Sequence, residues 1–317
     1  MFIVCGEALF DVYLEQDYAR AKKIPRHLSL QAHVGGSPLN VAVGMARLGQ
    51  ASALLTGLSH DFLGDHLHAV LQEEGVSTRF ICRKTAPTTL SFIQQDAAGV
   101  PSYAFYGNAA ADRVLTPEDL ANFDFTGISG VHLGSYSMVV QPAADAYLKL
   151  LKSQAGGGLV SLDPNVRLNV EPNLDIWRER LDELLPLLDV LKLSDEDLHY
   201  LYPEHQPEEI MLRWQQVHDI QLLALTRGSQ GATLWSKQAH VNIKAPSVAV
   251  VDTVGAGDTF QAALLDGLLR SGIWPNSEAQ LRDLGTFATT AAAITCSRRG
   301  ADLPSCKEIM AQLAQKH

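Results

Sequence analysis

Asp252-Thr253-Val254-Gly255-Ala256-Gly257-Asp258-Thr259-Phe260 decides how this chain folds. It places a turn of small residues, then a carboxylate, at the head of an apolar, helix-permitting run from Phe260 to Leu269. Gly255, Ala256 and Gly257 carry no bulky side chain, so their N–H groups can approach an anion closely. The helix that follows aims the positive end of its dipole at the same point. An anion hole with a carboxylate beside it can hold a transferring phosphoryl group while the carboxylate takes a proton from an attacking hydroxyl. The same letters also describe an ordinary strand-to-helix turn with an Asp cap. At this point the stretch allows both.

Around it, strands and helices alternate. Strands are expected at Ile3 to Cys5, Ala51 to Thr56, Gly130 to Leu133, Leu159 to Leu162, Val190 to Leu193, Leu222 to Thr226 and Gly231 to Trp235. Helices are expected at Leu39 to Leu48, Gly64 to Glu74, Ala143 to Gln154, Ile176 to Leu188, Glu208 to His218 and Asp258 to Leu269, with Leu281 to Thr295 as the last. That order predicts an α/β fold, a doubly wound and mostly parallel sheet with helices on both faces. Two segments break the rhythm. Val12 to Val34 alternates without a helical period. Thr88 to Tyr106 alternates more clearly, with Leu90, Phe92, an Ala97-Ala98-Gly99 turn, then Tyr103 and Phe105, which predicts a β-hairpin. Insertions at about 12–34 and 86–108 are expected to build one small β-sheet lid on a single domain spanning 1–317. A decorative surface hairpin is the other reading.

The 317 residues carry 46% hydrophobic and 19% charged side chains, as an ordinary globular protein does. The formal net charge of -10 argues against general affinity for nucleic acid or anionic membranes, though a locally basic site could still take an anion. No apolar run approaches membrane-spanning length. Met1 to Glu7 lacks the basic and apolar regions of a signal peptide and reads as a first strand. Cys5, Cys82, Cys296 and Cys306 are scattered, which suits reduced thiols in a cytoplasmic protein.

Several other positions can carry chemistry. In Gly35-Gly36-Ser37-Pro38-Leu39-Asn40, two glycines let the backbone pass close to a ligand, and Asn40 offers a donor and an acceptor. Asp11 follows the first strand, where open α/β sheets place ligands, and could accept from adjacent hydroxyls. This Gly/Asn/Asp set suits a sugar better than an anion; a plain loop-to-helix junction is equally open. Arg167, in Asp163-Pro164-Asn165-Val166-Arg167, has a donor fork suited to phosphate, against an N-cap plus surface salt bridge. In Lys192-Leu193-Ser194-Asp195-Glu196-Asp197, the Lys could meet phosphate and the acids could hold Mg²⁺ through water. An acidic first turn capped by Ser194 competes strongly. Thr226-Arg227-Gly228-Ser229-Gln230-Gly231 could lie against a nucleotide or simply turn a hairpin. His60, Asp61, Asp65, His66 and His68 resemble a metal cluster but do not share a helix face, so surface and packing roles are expected.

Taken together, these motifs resemble the ribokinase-like, or PfkB, carbohydrate kinases over essentially the whole chain. Both family signatures are present, around Gly35 to Ala42 and at Asp252 to Phe260. Within the family, Gly6 to Asp11, Asp163 to Arg167 and the GGSPLN stretch are similar to bacterial fructokinases. The resemblance implies ATP as donor with Mg²⁺, a monovalent cation such as K⁺ near Asp252, and a homodimer joined through the lids. It implies Asp258 as catalytic base with Gly255, Ala256 and Gly257 as anion hole. It puts Asp11, Gly35, Gly36 and Asn40 on sugar hydroxyls and Asn165, Arg167 and Lys192 near the transferred phosphate. Thr226, Gly228 and Gly231 would contact nucleotide. The family's Asn-x-x-Glu element reads here Ser194-Asp195-Glu196-Asp197, with Ser194 beside the nucleotide and Asp197 as the water-mediated metal acid. Tyr103, Phe105, Tyr106 and Asn108 would reach the sugar from the lid. Many relatives carry Arg where this chain has Gly107, and losing that charge favours a neutral sugar.

The expected activity is therefore ATP-dependent phosphorylation of D-fructose, at O6. The alternatives are 2-keto-3-deoxygluconate, ribose, tagatose or a nucleoside as acceptor, or a silent sugar-binding sensor. A nicotinamide dehydrogenase would share the sheet class, but Gly6 to Asp11 lacks G-x-G-x-x-G.

Overall fold

The structure, a computed structural model, describes residues 1–14, 26–95, 101–154 and 157–315. The expected Ala97-Ala98-Gly99 turn lies outside the described residues. In chain order the strands are β1 (Phe2–Cys5), β2 (Leu9–Leu14), β3 (Leu30–Gly35), β4 (Ser52–Ser59), β5 (Ile81–Lys84), β6 (Leu90–Gln95) and β7 (Pro101–Tyr106). They continue with β8 (Gly130–Gly134), β9 (Leu159–Asp163), β10 (Val190–Ser194), β11 (Leu222–Thr226), β12 (Ala232–Ser236) and β13 (His240–Ile243). The helices are α1 (Ser37–Arg47), α2 (Phe62–Glu73), α3 (Pro117–Leu120), α4 (Ala143–Gln154) and α5 (Leu174–Leu184). After them come α6 (Asp195–Leu201), α7 (Pro207–His218), α8 (Ala256–Ser271), α9 (Glu278–Cys296) and α10 (Cys306–Ala314).

Nine strands form one sheet in the order β13-β12-β11-β10-β9-β8-β1-β4-β5. Its pairings from β5 to β11 are parallel, and β12 and β13 close one edge antiparallel. The central strands read as unbroken apolar runs because both faces are covered. In β1, Ile3 and Cys5 face the core shared with α4, α5 and α7, while Phe2 and Val4 face the side packed by α1, α2 and α8. A further cluster joins α8 and α9 to β10 through β13.

A second sheet, β3-β2-β6-β7, is built from the two insertions. The expected hairpin is the antiparallel pair β6–β7. Asp11 stands in β2 of this small sheet, not in the connection after β1, because Leu9 to Leu14 continues as strand against β3 and β6. Gly36 turns the chain from β3 into α1 with φ 108°, and Pro38 suits the first helical turn. A β-carbon at Gly36 would stand 2.7 Å from the Glu7 carbonyl oxygen, so only glycine fits this crossing. Sequence periodicity also misses α10, so α9 is not the last helix. Ser305 and Glu308 start α10 with a capping box.

Candidate active site

Parallel strands β8, β9, β10 and β11 end at Gly134, Asp163, Ser194 and Thr226 along one sheet edge, where ligands bind in open α/β sheets. The start of α8 meets that edge. Gly255 caps the helix in the left-handed region, φ 77°, and a β-carbon there would come within 2.6 Å of the Ala301 methyl. The N–H groups of Gly257 and Asp258 donate to nothing among the described residues. Ala256, expected as part of the anion hole, differs: its N–H is taken by the Thr253 carbonyl at 3.2 Å. That bond closes the tight turn, and the next two amides are left without an intrahelical acceptor, as at any helix start.

Asp258 is buried and does not cap its own helix. It accepts from Ser37 Oγ at 2.6 Å and from Asn40 Nδ2 at 2.8 Å. The head of α1 therefore meets the head of α8 at one carboxylate. Asn40 was legible as a ligand residue; Ser37 was not. Both oxygens keep further lone pairs for an incoming hydroxyl.

Lys192, expected near phosphate, lies beside the same helix start. Its Nζ would be 3.1 Å from a β-carbon at Gly257. It is almost fully buried and pairs with Asp163 at 2.6 Å. Asp163 is thus no surface residue. Burial pushes its carboxyl up to about 6, with the Asp197 and Asp258 charges adding to burial and Lys192 opposing it. Its Oδ1 is buried and bonds nothing among the described residues.

Asp11 also rises to about 6, through burial first; the Ser91 hydrogen bond and the Arg167 charge pull it down, and Asp258 pushes it up. Asp11 thus feels the charges of Arg167 and Asp258, and Asp163 those of Lys192, Asp197 and Asp258, which groups these side chains in one region. Gly35 makes room, since a side chain there would run into the Asp11 carboxylate. Arg167 Nη1 donates to the Val166 carbonyl at 3.1 Å, and Asn165 bends the loop with φ 40°.

Asp197 closes a capping box with Ser194 and accepts the Val166 N–H at 2.9 Å, tying α6 to the Asn165–Arg167 loop. The capping alternative for this segment is thus present. Asp252 clasps the other flank, taking N–H from Val254 at 3.1 Å and from Gly300 at 2.9 Å. Thr226 Oγ1 donates to the Leu193 carbonyl at 3.3 Å. Gly228 and Gly231, with φ 49° and 97°, turn β11 into antiparallel β12, so the hairpin alternative also holds there.

In the small sheet, Asp11, Ser91 and Phe105 stand in one cross-strand row. Phe105 packs edge-on to Tyr136 at 6.3 Å, whereas Tyr106 points away and is 65% exposed. Tyr106 does not reach the cleft because strand alternation sets it on the opposite face from Phe105. Tyr103 pairs with Ile93, and its side chain lies outside what is described. Asn108 is exposed and opens onto a neighbouring groove with Arg113.

The His60–His68 group does not converge. Asp61 caps α2 and holds Thr88, Asp65 pairs with Arg83, and the His66 ring packs on Phe10. Among the described residues, no cluster of three or more His, Cys, Asp or Glu is placed to hold a metal ion.

The description "pfkB family carbohydrate kinase" matches residues 1–308. The chain belongs to this family. Among curated proteins, the kinase is 34% identical over 286 residues to Fructokinase-2 of Solanum lycopersicum, covering 88% of this chain and 86% of that one. A crystal structure of a fructokinase from Xylella fastidiosa with bound ATP superposes with TM-score 0.88 at 28% identity, covering 99% and 98% of the two chains. A fructokinase double mutant from Vibrio cholerae O395, bound to fructose, ADP and a potassium ion, gives 0.83 at 26% identity over 98% and 97%. The kinase thus shares with these proteins its fold, a large mostly parallel sheet with a separate small one. No helix among its described residues is long and apolar enough to cross a membrane.

Proposed function

We propose that this kinase transfers the γ-phosphoryl group of ATP to the O6 hydroxyl of D-fructose. The observation that carries the proposal is the Asp258 carboxylate, gripped by Ser37 and Asn40 beside two free amides at the head of α8. The curated fructokinase relative and the nucleotide- and fructose-bound structural neighbours support the choice of substrates.

In this reading, Asp11, Asn40 and the Gly35-Gly36 backbone take sugar hydroxyls, with Phe105 above and Asn165 alongside. Asp258 accepts the O6 proton as oxygen bonds to phosphorus and the bond to the ADP oxygen breaks. The Gly257 and Asp258 amides, with the Gly255–Ala256 turn, the positive end of α8 and Arg167, offset charge gathering on the phosphoryl oxygens. Transfer of this kind is positioning and electrostatics. Lys192 and Ser194 would stand toward the phosphates, and Thr226, Gly228 and Gly231 toward the nucleotide.

Mg²⁺ would neutralise phosphate charge. The unpaired Oδ1 of Asp163 and the nearby Asp197 fit an acidic anchor for its water shell. The Asp252 clasp suits a K⁺ site at its rim. We also place the enzyme in the cytoplasm, where its four free thiols stay reduced, as a homodimer joined through the small sheets.

An ADP-release assay across a sugar panel, with NMR assignment of the product carbon, tests the substrate. Fructose should give the highest kcat/KM and phosphate on C6; turnover indifferent to fructose would sink the reading. Asp11 adds a pH signature. Protonation removes its charge and part of its acceptor capacity, so kcat/KM for sugar should fall as pH drops through about 6. In Asp11→Asn the share of that limb owed to Asp11 should be lost, from a weaker baseline, leaving the share owed to Asp163. The linked stability has the opposite sign. A carboxyl raised by folding stabilises the apo fold most below its ordinary value, and this is lost as pH rises through about 6. Wild type should therefore lose stability relative to Asp11→Asn between pH 4 and 7 in urea titrations.

A further inference from the structure

Between α8 and the large sheet lies a buried polar group that the chemistry above does not use. His132 of β8, Ser161 of β9 and Gln261 of α8 are each 0% exposed. Gln261 Nε2 donates to Ser161 Oγ at 2.8 Å, and Ser161 Oγ shares a hydrogen bond with His132 Nδ1 at 3.1 Å. Burial first, then the Lys192 charge, pushes the imidazole down to about 3, so it stays neutral at any working pH. Its Nε2 points up the strand: a β-carbon at Gly134 would stand 3.4 Å away.

Strand register sets this group directly below the candidate site. His132 is level with Ser161, and Asp163, two residues on and on the same face, holds Lys192. Gln261 follows Asp258 by three along α8, so the two side chains are neighbours on the helix surface. The surroundings on that face are apolar: Val4 level with His132, Val190 level with Ser161, and Ala262, Leu264 and Leu265 from α8.

Stability does not call for polar side chains in this layer. Gln261 Oε1 and His132 Nε2 are buried and bond nothing among the described residues. Two orphaned groups offset what two hydrogen bonds contribute, and apolar side chains of the same shape would fill the space as well. What the polar group supplies is direction, because a hydrogen bond is met at one depth and one rotation while apolar surfaces slide. The head of α8 is gripped from α1 at Asp258 and from α9 by the Thr259–Thr295 contact of 2.8 Å. Gln261 supplies the grip from the sheet.

We propose that Gln261 is a positioning residue for phosphoryl transfer: through Ser161 and His132 it locks the first turns of α8 to the sheet and so sets where the Asp258 carboxylate meets the acceptor hydroxyl. The proposal rests on Asp258 acting as the base, but not on which sugar is preferred.

The test measures kcat, both KM values and melting curves in wild type, Gln261→Met, Asp258→Asn and the double variant. Gln261→Met should melt within a few degrees of wild type or above it, because it removes the orphaned Oε1 together with one bond. Its kcat should still fall at least about tenfold with each KM changed by less than about threefold, since a small misplacement of a reacting group costs turnover. In the Asp258→Asn background the same substitution should lower the residual kcat by less than about twofold, as the carboxylate it positions is gone. Gln261→Met combined with Ser161→Ala and His132→Leu empties the layer of polar groups and should show the same split between melting and kcat, which keeps the test open if the single variant fails to fold. A kcat within about twofold of wild type, a loss carried by KM, or an equal loss in both backgrounds would overturn the proposal and leave Asp258 as the base. Near-normal turnover of Asp258→Asn would sink the base assignment and this proposal with it.

Discussion

Asp258→Asn lowers kcat by at least about a hundredfold while the protein stays folded. The reasoning is geometric. The amide keeps one oxygen, so it can still accept from Ser37 or Asn40, which approach the carboxylate at 2.6 and 2.8 Å. What it cannot do is take the proton of the attacking hydroxyl. Its NH₂ also faces a donor, which costs one hydrogen bond, about 1 kcal/mol. Melting should thus shift by only a few degrees, and ATP binding should persist because the helix-start amides are untouched. Steady-state ADP release together with calorimetric nucleotide binding checks this. Near-normal turnover would remove Asp258 from the chemistry; loss of nucleotide affinity alongside turnover would make it a structural residue.

Lys192→Met should cost about 3–5 kcal/mol of stability at pH 7.5, the usual penalty for leaving one member of a buried ion pair alone. The side chains of Lys192 and Asp163 are only 5% and 1% exposed. Even with its partner, Asp163 is raised by burial from 3.8 to about 6. A raised carboxyl contributes stability that is complete below the unfolded value and fades as pH rises through the folded one. Without Lys192 the folded value climbs further, so the penalty should be largest above pH 7 and shrink toward pH 5, where Asp163 takes a proton instead. Urea unfolding at both pH values reads the effect. A loss under about 1 kcal/mol at pH 7.5 would mean the pair is not buried as described. Lys192→Met with Asp163→Leu should recover much of the stability but not the activity, since the cation beside Gly257 is gone.

The two predictions differ in how visible their residues were beforehand. Asp258 could be found from the linear chain, because a turn of Gly and Ala followed by Asp and an apolar run can do few things. Asn40, four residues beyond Gly36, was equally legible, as was the hairpin from the alternation of Leu90 and Phe92 with Tyr103 and Phe105. Lys192 was found as a cation at a strand end, but its partner Asp163 was given no role of its own. The two lie at the ends of neighbouring parallel strands, 29 positions apart, and only the order of strands brings them together. The small sheet, similarly, was legible as an insertion, while the place of Asp11 inside it was not.

Residue types and their period determined, without coordinates, an α/β sheet with a second small sheet, and marked the head of one late helix as the candidate phosphoryl-transfer site. These follow from local rules: alternation, glycine at turns, small residues beside an anion. Tertiary structure alone decided that Ser37 grips Asp258 from 221 positions away, that Ala256 turns its N–H inward, and that Arg113 stands where Gly107 has no side chain. Such pairings depend on how two sheets and two helix starts pack across a cleft, and no periodicity along the chain encodes a distance between segments so far apart.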